Sequence, residues 1–321
     1  MSQNEFVVGV DLGGTNVRAA VVSQQGEIKA WGQTPIEAAR GVEQGIQRIQ
    51  KLIRQVMDQA GAEQIAGIGF GSTGPIDRAR GFIQNPYTLP GWENVDIRTP
   101  LSRAFDAPLI MENDADAAAL GEAWLGSAKG TSRFALVTVG TGIGTAIILD
   151  GRIYRGMDGE HPEAGHQLLD PNGPPCYCGA HGCLESLASG PAIADFARRL
   201  IQQHPDSSLA LLHHHGQIIE ATHVAEAARQ GDELGQKVIR EVGRYLGLGL
   251  VNLILFYLPA CIALGGGVMK NYDLFFPHIQ QVLSQHSVVV STRRVRIAPV
   301  SLGNKAGVLG AARAIWLERK G

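Results

Sequence analysis

Cysteine is scarce, at four residues in 321, and three of the four crowd between Cys176 and Cys183 while Cys261 stands alone in an apolar stretch. So few cysteines, so unevenly placed, exclude a disulfide framework, and a cluster of this kind in a reducing compartment reads as metal binding. Charge is also sparse, at 18%, with Lys+Arg 28 against Asp+Glu 30 and no long run of one sign. The chain therefore has no stripe with which to grip a phosphate backbone, which argues against a nucleic-acid partner. A basic segment followed by a long apolar one is missing too, because Met-Ser-Gln-Asn-Glu leads straight into Phe6 to Val10; the expected compartment is the cytoplasm. Uncharged residues run from Tyr245 to Met269, long enough for a membrane span, but Pro259 and Gly265 to Gly267 interrupt them. The pattern predicts instead a buried helix ending near Tyr257 and a strand at Cys261 to Leu264, with no membrane partner.

What the sequence has in excess is glycine, 41 residues where average usage of about 7% gives roughly half as many. The glycines gather in short runs flanked by apolar residues. Phe6 to Val10 and Val17 to Val22 bracket Asp11-Leu12-Gly13-Gly14-Thr15, which reads as a hairpin with glycine at its bend. The design returns at Phe134 to Val139 and Thr145 to Leu149 around Gly140-Thr141-Gly142-Ile143-Gly144. Two copies of one architecture are expected, and 45% apolar residues over this length supply cores for two domains. Helical spacing at Gly41 to Ala60, strands at Ile65 to Phe70 and Pro108 to Met111, and an Ala-rich helix from Asn113 through Trp124 predict α/β units. Further helices are predicted at Pro191 to Gln203, His223 to Gln230, Asp232 to Tyr257 and Lys305 to Leu317, with a late strand at Val295 to Pro299. His204 to Thr222 reads as irregular, and its His213-His214-His215 as solvated loop.

Three sets of residues carry chemistry. Asp11, Gly13, Gly14, Thr15 and Asn16 place backbone N–H groups, a hydroxyl and a carboxylate where they suit a nucleotide's phosphates and a hydrated Mg²⁺, although a plain tight turn would also use Gly13-Gly14. The Walker lysine and its helix are missing. Gly140, Thr141 and Gly142 supply a second such bend, and Gly265, Gly266 and Gly267 follow a short strand that could pass an adenine or ribose. Asn113 and Asp114 stand at a strand end, where they either cap the helix or, for Asp114, accept the proton of an attacking hydroxyl in phosphoryl transfer. His166, Cys176, Cys178 and Cys183 have the ligand count and softness of a tetrahedral structural Zn²⁺, with His161 and His181 as spares, and Glu163 and Glu185 flank the cluster.

Asp11-Leu12-Gly13-Gly14-Thr15-Asn16, Glu112-Asn113-Asp114-Ala115, Glu163-Ala164-Gly165-His166, Cys176 to Glu185 and Leu264-Gly265-Gly266-Gly267 together resemble, in order, the motifs of the ROK sugar kinases and repressors. The resemblance covers essentially the whole chain. It implies a two-domain actin-like, hexokinase-like ATPase fold of duplicated ribonuclease H-like domains with an interdomain cleft. The expected division is residues 1–115 plus about 305–321, and 116–304 with the zinc-binding loop. The implied activity is ATP-dependent phosphorylation of a hexose, with Asp114 as base and Gly74, Asn113, Glu163, His166 and Glu185 at the sugar. His166 would ligate zinc through one ring nitrogen and face the sugar through the other. Homodimers or homotetramers are implied as well. Asp116, where asparagine is frequent, Ser72-Thr73-Gly74-Pro75 and His161-Pro162-Glu163 depart from the usual pattern. Leu89-Pro90-Gly91-Trp92 looks like the glucokinase members, so glucose ranks first, with mannose, fructose and N-acetylated amino sugars as alternatives. A repressor would need an N-terminal helix-turn-helix, for which the five residues before Phe6 leave no room, and an actin-like ATPase would give no reason for zinc beside carboxylates.

Overall fold

The computed structural model describes residues 5–319. The first four residues, part of the polar N-terminus, and the last two, part of the expected 305–321 segment, lie outside the described residues. β1 (Phe6–Leu12), β2 (Asn16–Ser23) and β3 (Ile28–Pro35) form an antiparallel meander. Then come α1 (Val42–Ala60), β4 (Ile68–Ser72) and the short β5 (Ile76–Asp77), β6 (Phe82–Ile83) and β7 (Val95–Asp96), which pair among themselves. After α2 (Arg98–Phe105), β8 (Leu109–Asn113) completes a sheet of order β3-β2-β1-β4-β8, in which β1, β4 and β8 run parallel. α3 (Asp114–Leu125) starts directly from β8.

The second sheet contains β9 (Phe134–Val139), β10 (Ile143–Leu149), β11 (Arg152–Ile153), β12 (Cys261–Gly265) and β13 (Arg296–Pro299), in the order β11-β10-β9-β12-β13. β9, β12 and β13 are parallel, as their counterparts in the first sheet are. The duplicated hairpins read from the glycine runs thus head two sheets of one topology. α4 (Leu184–Ala188), α5 (Gly190–Leu200), α6 (Ser208–His214), α7 (Ala221–Arg229), α8 (Glu233–Tyr257) and α9 (Tyr272–Gln285) precede β13, and α10 (Ala306–Glu318) closes the chain. The chain divides into two compact units. One comprises the described residues up to Ser132, Ala146–His161 and the described residues from Val300; the other comprises Arg133–Thr145 and Pro162–Pro299.

Strand alternation sets the layers of the first unit. Val8, Val10 and Leu12 of β1 enter one core with Ile49, Leu52, Ile53 and Val56 of α1, while Val7 points the other way, against Val308, Leu309, Ala312 and Ile315 of α10. That second contact is backbone-close, since a Cβ at Gly9 or Gly69 would drive into the carbonyls of Val308 and Ala311.

Where the pattern and the fold part, packing explains it. His204 to Thr222 is not wholly irregular: α6 forms there because Ser207 accepts the Leu209 N–H and Leu209 and Ala210 turn inward, leaving the three histidines exposed. α9 carries Pro277 within it, a residue that argues against a helix when read locally. α8 ends at Tyr257 in a left-handed Leu258, and β12 follows as read from the sequence. Among the described residues no helix is long and apolar enough to cross a membrane.

Candidate active site and thiol cluster

In the first unit, Asp11 leaves β1 where it pairs with β2, and Gly13 N–H closes the hairpin onto the Asn16 carbonyl. Gly14 is required by space: a Cβ there would lie 2.9 Å from the Thr88 carbonyl oxygen. Thr88 is held by the fully buried Asn85, whose side chain accepts from Tyr87 N and Thr88 N and donates to Thr88 Oγ1. Gly14 and Thr15 are exposed, so the bend presents its backbone to solvent. Asp11 Oδ2 accepts from Arg18 at 3.1 Å. Its carboxyl also lies against Gly307 in the first turn of α10, where a Cβ would stand 2.8 Å from Oδ1. Burial raises the Asp11 pKa and Arg18 opposes the rise.

Asn113 and Asp114 stand at the junction of β8 and α3. Asn113 is the cap of α3, its side chain accepting from Ala115 N at 2.9 Å. Gly74 lies against it, within 2.9 Å of Asn113 Nδ2 for an added Cβ. Asp114 is the first residue of the helix, partly buried, with Oδ1 accepting the same Ala115 N–H at 2.8 Å. Burial first, and the Asp11 charge second, push its pKa up to about 6. Glu112 and Asp116, two residues to either side, are both buried. Arg155 pairs with Glu112 and lies 3.8 Å from Asp116, and Arg78 reaches Glu112 from a second direction at 3.2 Å. Leu89 and Trp92, by contrast, are fully buried in the α1 core and serve packing.

In the second unit, Gly140 and Thr141 form an open bend between β9 and β10, with Gly190 N–H donating to the Gly140 carbonyl at 2.7 Å. Glu185, in the first turn of α4, accepts the Ile143 N–H at 2.7 Å, and Gly142 makes room for it, since a Cβ would sit 2.5 Å from Oε2. Glu163 precedes the tight turn Ala164–His166 and is exposed. Buried Thr145 fixes that turn by donating to the Pro162 carbonyl and accepting from Ala164 N. Gly266, at φ 90°, packs on the Val139 backbone, whereas Gly267 has open space beside it; both are exposed after β12.

The ligand atoms of His166, Cys176, Cys178 and Cys183 all lie within 4.8 Å of one another. His166 Nδ1 is 3.4 Å from Cys176 Sγ, and Cys178 Sγ is 3.6 Å from Cys183 Sγ. Zn–N and Zn–S bonds of about 2.0–2.3 Å give tetrahedron edges of roughly 3.4–3.8 Å, so the set fits zinc; a disulfide would need sulfurs at about 2.05 Å. All four cysteines are free thiols. The Ala180 N–H and neighbouring thiols lower the Cys178 pKa, while burial raises that of Cys183 to about 12. His166 Nε2 lies 3.0 Å from the Tyr177 hydroxyl. His181 Nδ1 faces the Gly173 carbonyl and stands outside the ligand set.

Sequence reasoning missed Asn85, Thr145, Arg155 and Gly307. Each acts on a motif distant in the chain, and no local spacing marks it.

The ROK family pattern matches residues 7–319. A glucokinase of Thermotoga maritima is 33% identical over 317 residues, covering 98% of each chain. The crystal structure of a ROK hexokinase from Thermus thermophilus, 31% identical, superposes with a TM-score of 0.83 over 98% of this chain and 99% of the other. A ROK family glucokinase from Streptomyces griseus, crystallised in complex with glucose and AMPPNP, is also 31% identical, with a TM-score of 0.76 over 98% of this chain and all of its own.

Proposed function

The chain belongs to the ROK family, and from that premise we propose that it transfers the γ-phosphoryl group of ATP to the primary hydroxyl of a hexose, glucose before mannose, fructose or N-acetylated amino sugars. The observation that carries the reading is Asp114 at the β8–α3 corner, a carboxylate held by a backbone N–H with its pKa raised toward the working range of a general base.

Phosphoryl transfer asks the protein mainly to position groups and stabilise charge. Asp114 accepts the proton of the attacking hydroxyl. Asn113, Glu163, His166 and Glu185 hold the remaining hydroxyls, the Tyr177 hydroxyl giving way to a sugar hydroxyl at His166 Nε2, and Gly74 leaves Asn113 room to turn to the sugar. The bends at Gly13, Gly14, Thr15 and Asn16 and at Gly140, Thr141 and Gly142, exposed at Gly14, Thr15 and Thr141, donate to phosphate oxygens, and Gly265, Gly266 and Gly267 take the nucleoside end. Magnesium, held through Asp11 once Arg18 releases it, would neutralise phosphate charge. Zinc at His166, Cys176, Cys178 and Cys183 would pin the loop that carries Glu163 and Glu185. We place the enzyme in the cytoplasm as a homodimer or homotetramer, away from nucleic acid and membrane, on family resemblance and composition.

ADP release with MgATP, measured across glucose, mannose, fructose, N-acetylglucosamine, N-acetylmannosamine and a sugar-free blank, tests the reading. Turnover confined to one or two hexoses is expected, and Asp114→Asn should abolish it while leaving glucose binding measurable by calorimetry. Turnover equal in the blank, or an active Asp114→Asn variant, would reject the proposal.

A further inference from the structure

Three carboxylates fall within five residues at the corner where β8 becomes α3: Glu112, Asp114 and Asp116. Glu112 and Asp116 are 3% and 2% exposed, and a buried carboxylate left without a counter-charge is strongly destabilising. Their common partner is Arg155, from the segment following β11, which pairs with Glu112 Oε2 and lies 3.8 Å from Asp116 Oδ2. The other oxygen of Asp116 is buried and has no hydrogen bond among the described residues, and the cations acting on its carboxylate are His161 and Arg155, the latter 3.8 Å away. Arg78 also meets Glu112, at Oε1, but is more exposed and is shared with Glu318 near the end of α10.

We propose that Arg155 is a positioning residue for phosphoryl transfer: by clamping Glu112 on the strand side and Asp116 on the helix side, it fixes the corner from which Asp114 meets the sugar hydroxyl. The inference rests on the kinase reading. Arg155 meets Glu112 and Asp116, not Asp114 itself, so its effect passes through the backbone between residues 112 and 116. Without the guanidinium, the two carboxylates repel, the corner opens, and the Asp114 carboxyl loses its line to the hydroxyl. A planar fork reaching two carboxylates at once is a task for arginine, and lysine would perform it only in part.

The test is steady-state kinetics on the full chain, with kcat and the KM values for glucose and MgATP taken separately. Misplacement of a catalytic group by about 1 Å costs on the order of 10²-fold, so Arg155→Met should lose about that factor in kcat with KM for MgATP unchanged. Arg155→Lys should recover much of the loss, and free guanidinium chloride at non-denaturing concentration should partly rescue Arg155→Met. The triple variant Glu112→Gln, Asp116→Asn, Arg155→Met removes the charges of both clamped carboxylates along with the clamp and serves if Arg155→Met alone does not fold. It should unfold near the wild-type temperature and still show the depressed kcat. Recovery of wild-type kcat in that triple variant would reduce Arg155 to a structural counter-charge and overturn the inference, as would an Arg155→Met enzyme with unchanged kcat. A wild-type protein without hexose-dependent ADP release would overturn the kinase reading and the positioning role with it.

Discussion

Asp114 is under opposing influences. Burial and the neighbouring Asp11 carboxylate lift its pKa from 3.8 to about 6, while the Ala115 N–H and His161 act to lower it. The base must be ionised to accept a proton, so kcat/KM for glucose should fall as pH drops through about 6, with the limb absent from a pH-independent control such as nucleotide binding. Stability runs the other way. A carboxyl whose folded pKa is raised binds its proton more tightly when folded, so its contribution is present below about pH 4 and is lost as pH rises through about 6. Asp114→Asn keeps the acceptor for Ala115 N and removes the charge. Thermal unfolding should therefore show it more stable than wild type at pH 7, by up to about 3 kcal/mol, and the two should converge near pH 4. A variant no more stable than wild type at pH 7 would mean that solvent or Arg18 already relieves the Asp11–Asp114 repulsion. Of these residues, Asp11 and Asp114 stand out in the sequence because one lies just before the glycine bend that follows β1 and the other opens the helix that follows β8. Arg155 does not, since its partners lie some forty residues away and belong to another element.

At the scale of elements, a close junction in the second unit seats Glu185. Its carboxylate takes the Ile143 N–H while Gly142 stands beside it without a side chain. Gly142→Ala would push the carboxylate off that N–H, because the added carbon would lie 2.5 Å from Oε2. We expect KM for the hexose to rise about tenfold, the worth of roughly 1.4 kcal/mol of lost contact, with a smaller change in kcat. Equal KM values in the two proteins would remove Glu185 from the sugar site. The two glycine bends, the Ala-rich helix and the α8–β12 passage were readable because turn chemistry and hydrophobic period are local. β3, α9 and α6 were not: β3 alternates weakly, α9 contains Pro277, and α6 is set by Ser207 together with Asp232, whose carboxylate accepts from both Ser207 and Ser208.

For the molecule as a whole, the thiol cluster offers a direct measurement. Mass spectrometry of the native protein or elemental analysis should find about one zinc per chain, lost in Cys176→Ser and Cys183→Ser variants. Chelation should lower the unfolding temperature and raise KM for glucose, because the loop that carries His166 and leads into Glu185 would lose its anchor. Metal-free protein with unchanged stability would leave the thiols without that role. By itself the sequence determined the duplicated α/β architecture, the four residues that gather in the thiol cluster and the strand-end placement of Asn113 and Asp114, because hydrophobic period, glycine at bends and cap chemistry act over a few residues. Only the tertiary structure decided which distant groups complete those motifs. Gly307 lies against Asp11, Asn85 holds Thr88 against Gly14, Thr145 locks the turn after Glu163, and Arg155 joins Glu112 to Asp116. Burial makes each of these contacts strong, and burial follows from how the elements pack, which no local spacing records.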